Sequence, residues 1–178
     1  MHVNARKIAL SGVLAAFAVV LIVMGSIFET STLFLLAAAA FCVGIAVREW
    51  GIPYGAAFLT ACTLLGVIVS PQKMYCVTFA AMGIYILLAE TGWEVLAKAD
   101  RIRKKKAILW VWKYAVFNCM FLPAIYLFPS LLIAKKMTGT LFLILAAAGQ
   151  AGIFIFDRAY VYFQAEVWGR LRGKVMKS

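Results

Sequence analysis

The side chains that could perform acid–base, nucleophilic or metal chemistry are few in this chain and do not cluster along it. Its 178 residues include seven carboxylates, one histidine and four cysteines. The cysteines form no CxxC pair, and His2 is the one histidine, so the sequence predicts no zinc site. Serine, histidine and carboxylate do not lie at spacings that would assemble a nucleophile and its base. We therefore predict that the chain is not an enzyme, binds no metal and carries no cofactor, and that the cysteines are packing residues.

The elements that position the polar residues are six apolar runs, which fill almost the whole chain. Hydrophobic residues make up 65% of the sequence and the mean hydropathy is +0.95, whereas soluble domains contain about 45–50% apolar residues. A membrane-spanning helix needs about 20 mainly apolar residues. The runs are continuous, unlike the alternating strands of a membrane barrel, so helices are predicted. The sequence predicts an all-α polytopic membrane helical bundle with transmembrane helices at 8–28, 33–47, 54–69, 74–92, 108–133 and 138–156.

The basic residues predict which side of the membrane each loop faces. If the N-terminus is cytoplasmic, all of the 18 Lys and Arg residues except Lys73, Lys135 and Lys136 lie on the cytoplasmic side. Short cytoplasmic loops carry the excess of Lys and Arg, so both termini are predicted to be cytoplasmic. A bacterial plasma membrane is the expected location. Contact with anionic lipid accounts for the net charge of +11 without nucleic acid as a partner.

Two basic segments are predicted to contact anionic lipid, with an acidic or helical protein partner as the alternative for each. One is the loop between the fourth and fifth runs. The other is the tail 158–178, which follows the six-span domain 1–157. In the tail, Tyr160, Phe163 and Val167 recur at helical spacing, which is typical of an amphipathic helix in the membrane interface. The predicted lipid contacts are Arg103, Lys104, Lys105, Lys106, Arg170, Arg172 and Lys174.

Two amide side chains lie near the middle of apolar runs. Asn118 is ten residues into the fifth run and Gln150 is twelve residues into the sixth. At 1.5 Å per residue they lie about 15 and 18 Å from opposite ends, so both are near the midplane. Because consecutive spans run antiparallel, the two amides are predicted to hydrogen-bond to each other, which contributes about 0.6–2 kcal/mol to helix association. Lining a solute cavity is the alternative.

Charged residues are expected only near the ends of the spans. Glu29, Glu90 and Asp157 lie close to the ends of apolar runs, where water or lipid headgroups would solvate them. Ion-coupled transporters keep an ionisable group near the midplane. The sequence therefore argues against a self-sufficient ion-coupled transporter.

The first apolar run carries a row of small residues. Ala5, Ala9, Gly12 and Ala16 are separated by four, three and four positions, which keeps them on one helix face. Small residues let a second backbone approach closely, which is how membrane helices pack. The second helix belongs either to this chain or to another subunit.

The opening segment Ala5-Arg-Lys-Ile-Ala-Leu-Ser-Gly-Val-Leu-Ala-Ala-Phe-Ala18 combines a basic pair with an alanine-rich helix. With six spans in under 200 residues, it resembles the substrate-binding S components of energy-coupling factor transporters. The glycines at 44, 51, 55 and 66 are similar to those of that family's second and third helices. The resemblance implies that Ala5, Ala9, Gly12 and Ala16 contact a transmembrane coupling subunit.

The same resemblance implies a function in solute uptake. S components bind a vitamin or another micronutrient from the extracellular side, and import needs the coupling subunit and two cytoplasmic ATPases. This chain has no GxxxxGK[ST] motif, in keeping with ATP hydrolysis by other subunits. Carboxylate and ammonium groups in the outer loops could hold a zwitterion or an anion. The substrate-binding candidates are Glu29, Thr32, Gln72, Lys73, Tyr75, Asn118, Lys136 and Gln150.

Two other function classes stay open. A non-catalytic scaffold or accessory protein of a cell-envelope complex would explain an outer surface poor in polar groups and a cytoplasmic side rich in charge and aromatic residues. A lipid-handling enzyme would need a polar pocket at one interface, for which Asp157 with Arg158 and Glu90 with Glu94 are the candidates.

Overall fold

The computed structural model describes residues 5–98, 104–127, 139–170 and 172, and six long helices account for nearly all of them. The last helix continues without a break as a π-helical segment, Phe163–Trp168. Six helices are long and apolar enough to cross a membrane. The prediction of an all-α chain with six candidate spans is therefore confirmed. The helices are α1 (Ala5–Ile27), α2 (Thr32–Trp50), α3 (Ile52–Val69), α4 (Lys73–Lys98), α5 (Lys105–Leu127) and α6 (Gly139–Tyr162).

Short turns between the early helices follow from local sequence. Gly51 ends α2 with a φ of 93°, a left-handed conformation that glycine adopts without steric cost. Its N–H donates to the Val47 carbonyl at 2.8 Å. Pro53 lies in the first turn of α3, where its missing N–H removes no intrahelical hydrogen bond. The result is a tight hairpin that brings α2 and α3 together as antiparallel neighbours.

The centre of the bundle is α2, which packs against α1, α3 and α4. Its residues from Ala39 to Val47 are all buried, and several are alanine or glycine, so neighbouring helices approach closely. Cys42, Cys62 and Cys76 are buried as unpaired packing residues, as predicted, whereas Cys119 is exposed.

The sixth helix joins this centre through its C-terminal half. The ring of Phe41 on α2 lies 5.4, 5.6 and 5.3 Å from the rings of Phe156, Tyr160 and Phe163. Gly44 allows this approach, because the Tyr160 ring occupies the space that a Cβ atom at Gly44 would fill. Aromatic packing on a glycine therefore attaches α6 to α2.

The end of the sixth span differs from the prediction. The boundary was expected at residue 156, followed by a separate amphipathic helix, but the structure continues the helix through Trp168. Tyr160 and Trp168 are buried within the bundle. Of the predicted stripe, Tyr160 and Phe163 pack on Phe41 of α2, whereas Val167 is exposed. Leu171 and residues 173–178 lie outside the described residues.

Candidate functional site

Two carboxylates are buried between the helices, and this corrects an expectation. Glu90 and Asp157 were expected to be solvated near helix ends, but they are only 7% and 2% exposed. The reason is that neither helix ends where its apolar run ends. Glu90 lies eight residues before the end of α4, and Asp157 lies eleven residues before Trp168, or about 12 and 16 Å along their helices.

Glu90 is the centre of the first polar cluster. Arg48 donates to its Oε1 atom from Nε at 2.9 Å and from Nη2 at 2.7 Å. The Tyr160 hydroxyl donates to the same oxygen at 2.6 Å. The guanidinium also lies 5.3 Å from the centre of the Tyr160 ring, a cation–π distance. These contacts connect α2, α4 and α6.

Asp157 is the centre of the second cluster. Lys113 Nζ lies 2.6 Å from its Oδ1 atom, and the Tyr85 hydroxyl donates to that oxygen at 3.4 Å. The Lys113 ammonium also lies 5.7 Å from the centre of the Trp110 ring. This second cluster connects α4, α5 and α6.

The two clusters together form what we call the carboxylate network. Each carboxylate has one cation and one tyrosine hydroxyl, so both clusters are electrically balanced. Helix α4 supplies a tyrosine to one cluster and a carboxylate to the other, and α6 does the same in reverse. Leaving either charge unpaired in the interior would cost several kcal/mol. The network therefore holds α2, α4, α5 and α6 together. Its members are Arg48, Tyr85, Glu90, Lys113, Asp157 and Tyr160.

The sequence contained one signal for this network that was not used. Lys113 lies inside the predicted fifth span, and a lysine within a span requires a partner. Asp157 directly follows the predicted sixth span, in the neighbouring helix. Pairing these two residues by that rule would have found the second cluster. The Arg48–Glu90 pair had no such signal, because both residues were placed at span ends.

One open cleft adjoins the network. It has a volume of ≈ 500 Å³ and lies where α2 turns into α3, beside the second half of α4. Its lining residues are Val47, Arg48, Gly51, Glu90, Trp93 and Glu94. None of the residues predicted to bind a solute lines it.

The predicted solute-binding residues near the other end of the bundle are dispersed. Thr32 is buried, and its hydroxyl lies 2.8 Å from the Gly25 carbonyl and 3.1 Å from the Phe28 carbonyl, so it joins the end of α1 to the start of α2. Gln72 and Lys73 are exposed at the start of α4, and Tyr75 is half-buried there. The side chain of Glu29 and the whole of Lys136 lie outside the described residues.

The amides of Asn118 and Gln150 meet as predicted. Gln150 Nε2 donates to Asn118 Oδ1 at 2.6 Å, and Asn118 Nδ2 donates to the Tyr114 carbonyl at 2.8 Å. Both side chains are half-buried. The predicted hydrogen bond is confirmed, and it joins α5 to α6.

The small residues of α1 lie on the outer surface of the described bundle. Ala9, Gly12 and Ala16 are exposed, and a Cβ atom at Gly12 would meet no atom within 4 Å. The opposite face of α1 packs inward through Ala18 and Ile22, which are fully buried. These three small residues therefore do not pack within the described chain. The side chain of Ala5 is not described.

The basic residues predicted to contact lipid fall into two groups. Lys104 and Lys106 are exposed, and Lys105 Nζ donates to the Ala97 carbonyl at 3.3 Å. In the tail, Arg170 bonds to Glu166 at 2.7 Å and Arg172 bonds to Glu49 at 3.0 Å. Glu49 also accepts a hydrogen bond from Trp168 Nε1 at 2.9 Å. The two tail arginines thus have carboxylate partners, whereas Arg103 and Lys174 lie outside the described residues.

No protein-family model, no curated protein and no solved structure matches this chain. Its function is therefore inferred from its own residues and their arrangement.

Proposed function

We propose that this chain is a non-catalytic integral membrane subunit that binds a small solute for uptake, similar to an S component of an energy-coupling factor transporter. A coupling subunit and two ATPases would act in trans. The observation that carries this proposal is the exposed row of small residues on α1, Ala9, Gly12 and Ala16.

The physical reason lies in how helices associate in lipid. Lipid tails are as apolar as leucine, so membrane helices gain little from hiding large apolar side chains and instead gain from close packing at small residues. Gly12 has open space above it, and the large exposed side chains of Ile8, Val13 and Phe17 stand beside it. A helix of another subunit would fit into this shallow groove.

A solute would bind at the opposite end of the spans from the cleft. Gln72 and Lys73 are exposed at the start of α4. Lys73 can donate to an anionic or zwitterionic solute through charge-assisted hydrogen bonds, and Lys136 and Glu29 belong to the same side of the predicted topology. Asn118 and Gln150 have a structural part in this proposal, because they bond to each other.

The proposal places the protein in a bacterial plasma membrane with both termini in the cytoplasm. The basic loop containing Lys104 and Lys106 and the tail after Trp168 would then face the anionic inner leaflet. In this arrangement the groove on α1 is accessible to a partner from within the membrane.

The test is a matched pair of substitutions, Gly12→Leu and Gly152→Leu. Both glycines are exposed in membrane-spanning helices, and a Cβ atom at either would meet nothing within 4 Å. Each variant, with a C-terminal tag, is purified gently from its own membrane and its bound subunits are identified by native mass spectrometry. We expect Gly152→Leu to retain a coupling protein and an ATPase pair, and Gly12→Leu to lose them. Retention of the same partners by Gly12→Leu would refute the proposal.

A second candidate is a scaffold or accessory subunit of a cell-envelope complex. The observation that favours it is that Asp157, Asn118 and Gln150 bond within the chain and line no described cavity, and that Glu90, which borders the open cleft, is already bonded to Arg48 and Tyr160. The same purification distinguishes the two. Recovery of envelope-synthesis proteins with no bound small molecule supports the scaffold, whereas an ATPase pair or a bound molecule of a few hundred daltons rules it out.

A further inference from the structure

Arg158 on α6 differs from the other arginines whose side chains the structure describes. Arg48, Arg170 and Arg172 each bond to a carboxylate, at 2.7, 2.7 and 3.0 Å. Arg158 is exposed within a membrane-spanning helix and has no carboxylate partner in the described ranges. The neighbouring Asp157 is already bonded to Lys113. Arg158 therefore carries a charge that nothing in the described chain balances.

Two aromatic rings hold the Arg158 guanidinium in place. Its carbon atom lies 5.3 Å from the Trp110 ring centre on α5 and 5.3 Å from the Phe154 ring centre on α6. The two rings stack on each other, with centres 5.6 Å apart and planes 25° from parallel. Contacts of this kind attract a cation but leave the edge donors of a guanidinium available. The side chain is thus positioned and still has hydrogen bonds to give.

The register of α5 and α6 gives the depth of Arg158 in the membrane. The bond between Asn118 and Gln150 sets the antiparallel pairing. Arg158 lies eight residues after Gln150, and Trp110 lies eight residues before Asn118, so the two are level. Lys106, one turn before Trp110 on the same face of α5, lies about 6 Å nearer the end of the helix. Arg158 therefore lies one helical turn farther from the end of the bundle, and so deeper in the membrane, than Lys106.

This level is where the headgroups of the adjacent leaflet begin. Lys104 and Lys106 are exposed at the start of α5, and Tyr162, one turn after Arg158 on α6, is 67% exposed. Tryptophan and tyrosine concentrate at the boundary between hydrocarbon and headgroups. A guanidinium here costs free energy unless an anion accompanies it, and the anion available at this depth is a lipid phosphate.

We propose that Arg158 and Lys106 bind the phosphate of one anionic phospholipid in the groove between α5 and α6. Arg158 donates to the phosphate oxygens from the hydrocarbon side, and Lys106 approaches them from the side of the loop. Tyr162 can donate a further hydrogen bond. Val111 and Ile155, both largely exposed, offer apolar surface to the acyl chains beside the site. This site is distinct from the general contact of basic loops with the membrane, and it does not depend on the proposed uptake function.

The experiment compares Arg158→Gln with Lys98→Gln, both in the full chain. Lys98 is an exposed lysine at the end of α4, on the same side of the membrane, so its variant loses the same charge without touching the groove. Each protein is reconstituted in nanodiscs of equal phosphatidylglycerol and phosphatidylcholine, released, and examined by native mass spectrometry. We expect retained phosphatidylglycerol to fall about fivefold in Arg158→Gln, the effect of one basic residue near the surface, and to stay unchanged in Lys98→Gln.

Three results would overturn the proposal. The first is equal phosphatidylglycerol retention in Arg158→Gln and the unsubstituted protein. The second is an equal loss in Lys98→Gln, which would mean general attraction rather than a site. The third is displacement of the lipid by millimolar inorganic phosphate, which would assign the site to a free anion. Lys106→Gln is a second variant that tests the same groove if Arg158→Gln fails to fold, and it is expected to reduce retention by a similar factor.

Discussion

The pairing of Lys113 with Asp157 provides the sharpest test of the carboxylate network. The two side chains are 11% and 3% exposed and their atoms are 2.6 Å apart, so solvent screens this pair little. Replacing Lys113 by Met leaves Asp157 buried with the Tyr85 hydroxyl alone. Replacing Asp157 by Leu leaves Lys113 buried with the face of Trp110.

The expected magnitude follows from what each single change leaves behind. Removing one partner of a buried ion pair costs about 3–5 kcal/mol, because an uncompensated charge remains in the interior. Removing both partners leaves apolar side chains of similar size, which is often neutral or stabilising. The double variant Lys113→Met with Asp157→Leu is therefore expected to be more stable than either single variant.

The assay is reversible unfolding of the purified protein from mixed micelles, followed by circular dichroism at the helical bands. The free energies of unfolding of the four proteins form a double-mutant cycle, which isolates the pairwise term. Single variants that each lose under about 0.5 kcal/mol would refute the reasoning, since losses that small are typical of a solvent-exposed pair. A double variant as unstable as the sum of the singles would refute it as well.

Three further predictions concern the contacts of α6 with α2, α4 and α5. Gly44→Ala is expected to lower the free energy of unfolding by about 1–3 kcal/mol, because the new Cβ atom overlaps the Tyr160 ring. Gly152→Ala, where a Cβ atom meets open space, is expected to leave the free energy of unfolding unchanged or to raise it slightly. Thermal unfolding in detergent measures both. Tyr160→Phe removes a hydroxyl that donates to a buried carboxylate, and the same measurement should show a loss of about 1.5–3 kcal/mol. Alanine at Asn118 and at Gln150 should show a coupling energy of about 0.6–1.7 kcal/mol in a second cycle, and additive losses would contradict their hydrogen bond.

The relative level of residues on α5 and α6 is the feature of this chain that the sequence predicted correctly. Asn118 and Gln150 were paired by counting residues from the ends of their apolar runs, and the structure contains that hydrogen bond. The count works because a helix rises by a fixed 1.5 Å per residue and consecutive spans are antiparallel. Neighbours in sequence thus become neighbours at a known level.

The ends of helices were the weaker part of the prediction. A charged residue interrupts an apolar run. It does not end the helix when a neighbouring helix supplies a side chain of the opposite charge. Asp157 was treated as the boundary of the sixth span, yet the helix continues to Trp168 and buries it. The partner, Lys113, is 44 residues away along the chain, so the sequence on either side of Asp157 does not show that the carboxylate is balanced.

The amino-acid sequence by itself determined that the chain is a set of six apolar helices, because continuous apolar runs in a charge-poor chain leave the backbone no other way to satisfy its hydrogen bonds in lipid. It also determined which two amides meet. Only the tertiary structure decided that α2 is central and that Arg48 balances Glu90. It also decided that Ala9, Gly12 and Ala16 lie on the outside of the described bundle. Those features depend on how helices rotate and pack against one another, and in lipid that is set by close contacts between particular side chains, which the hydropathy of a segment does not encode.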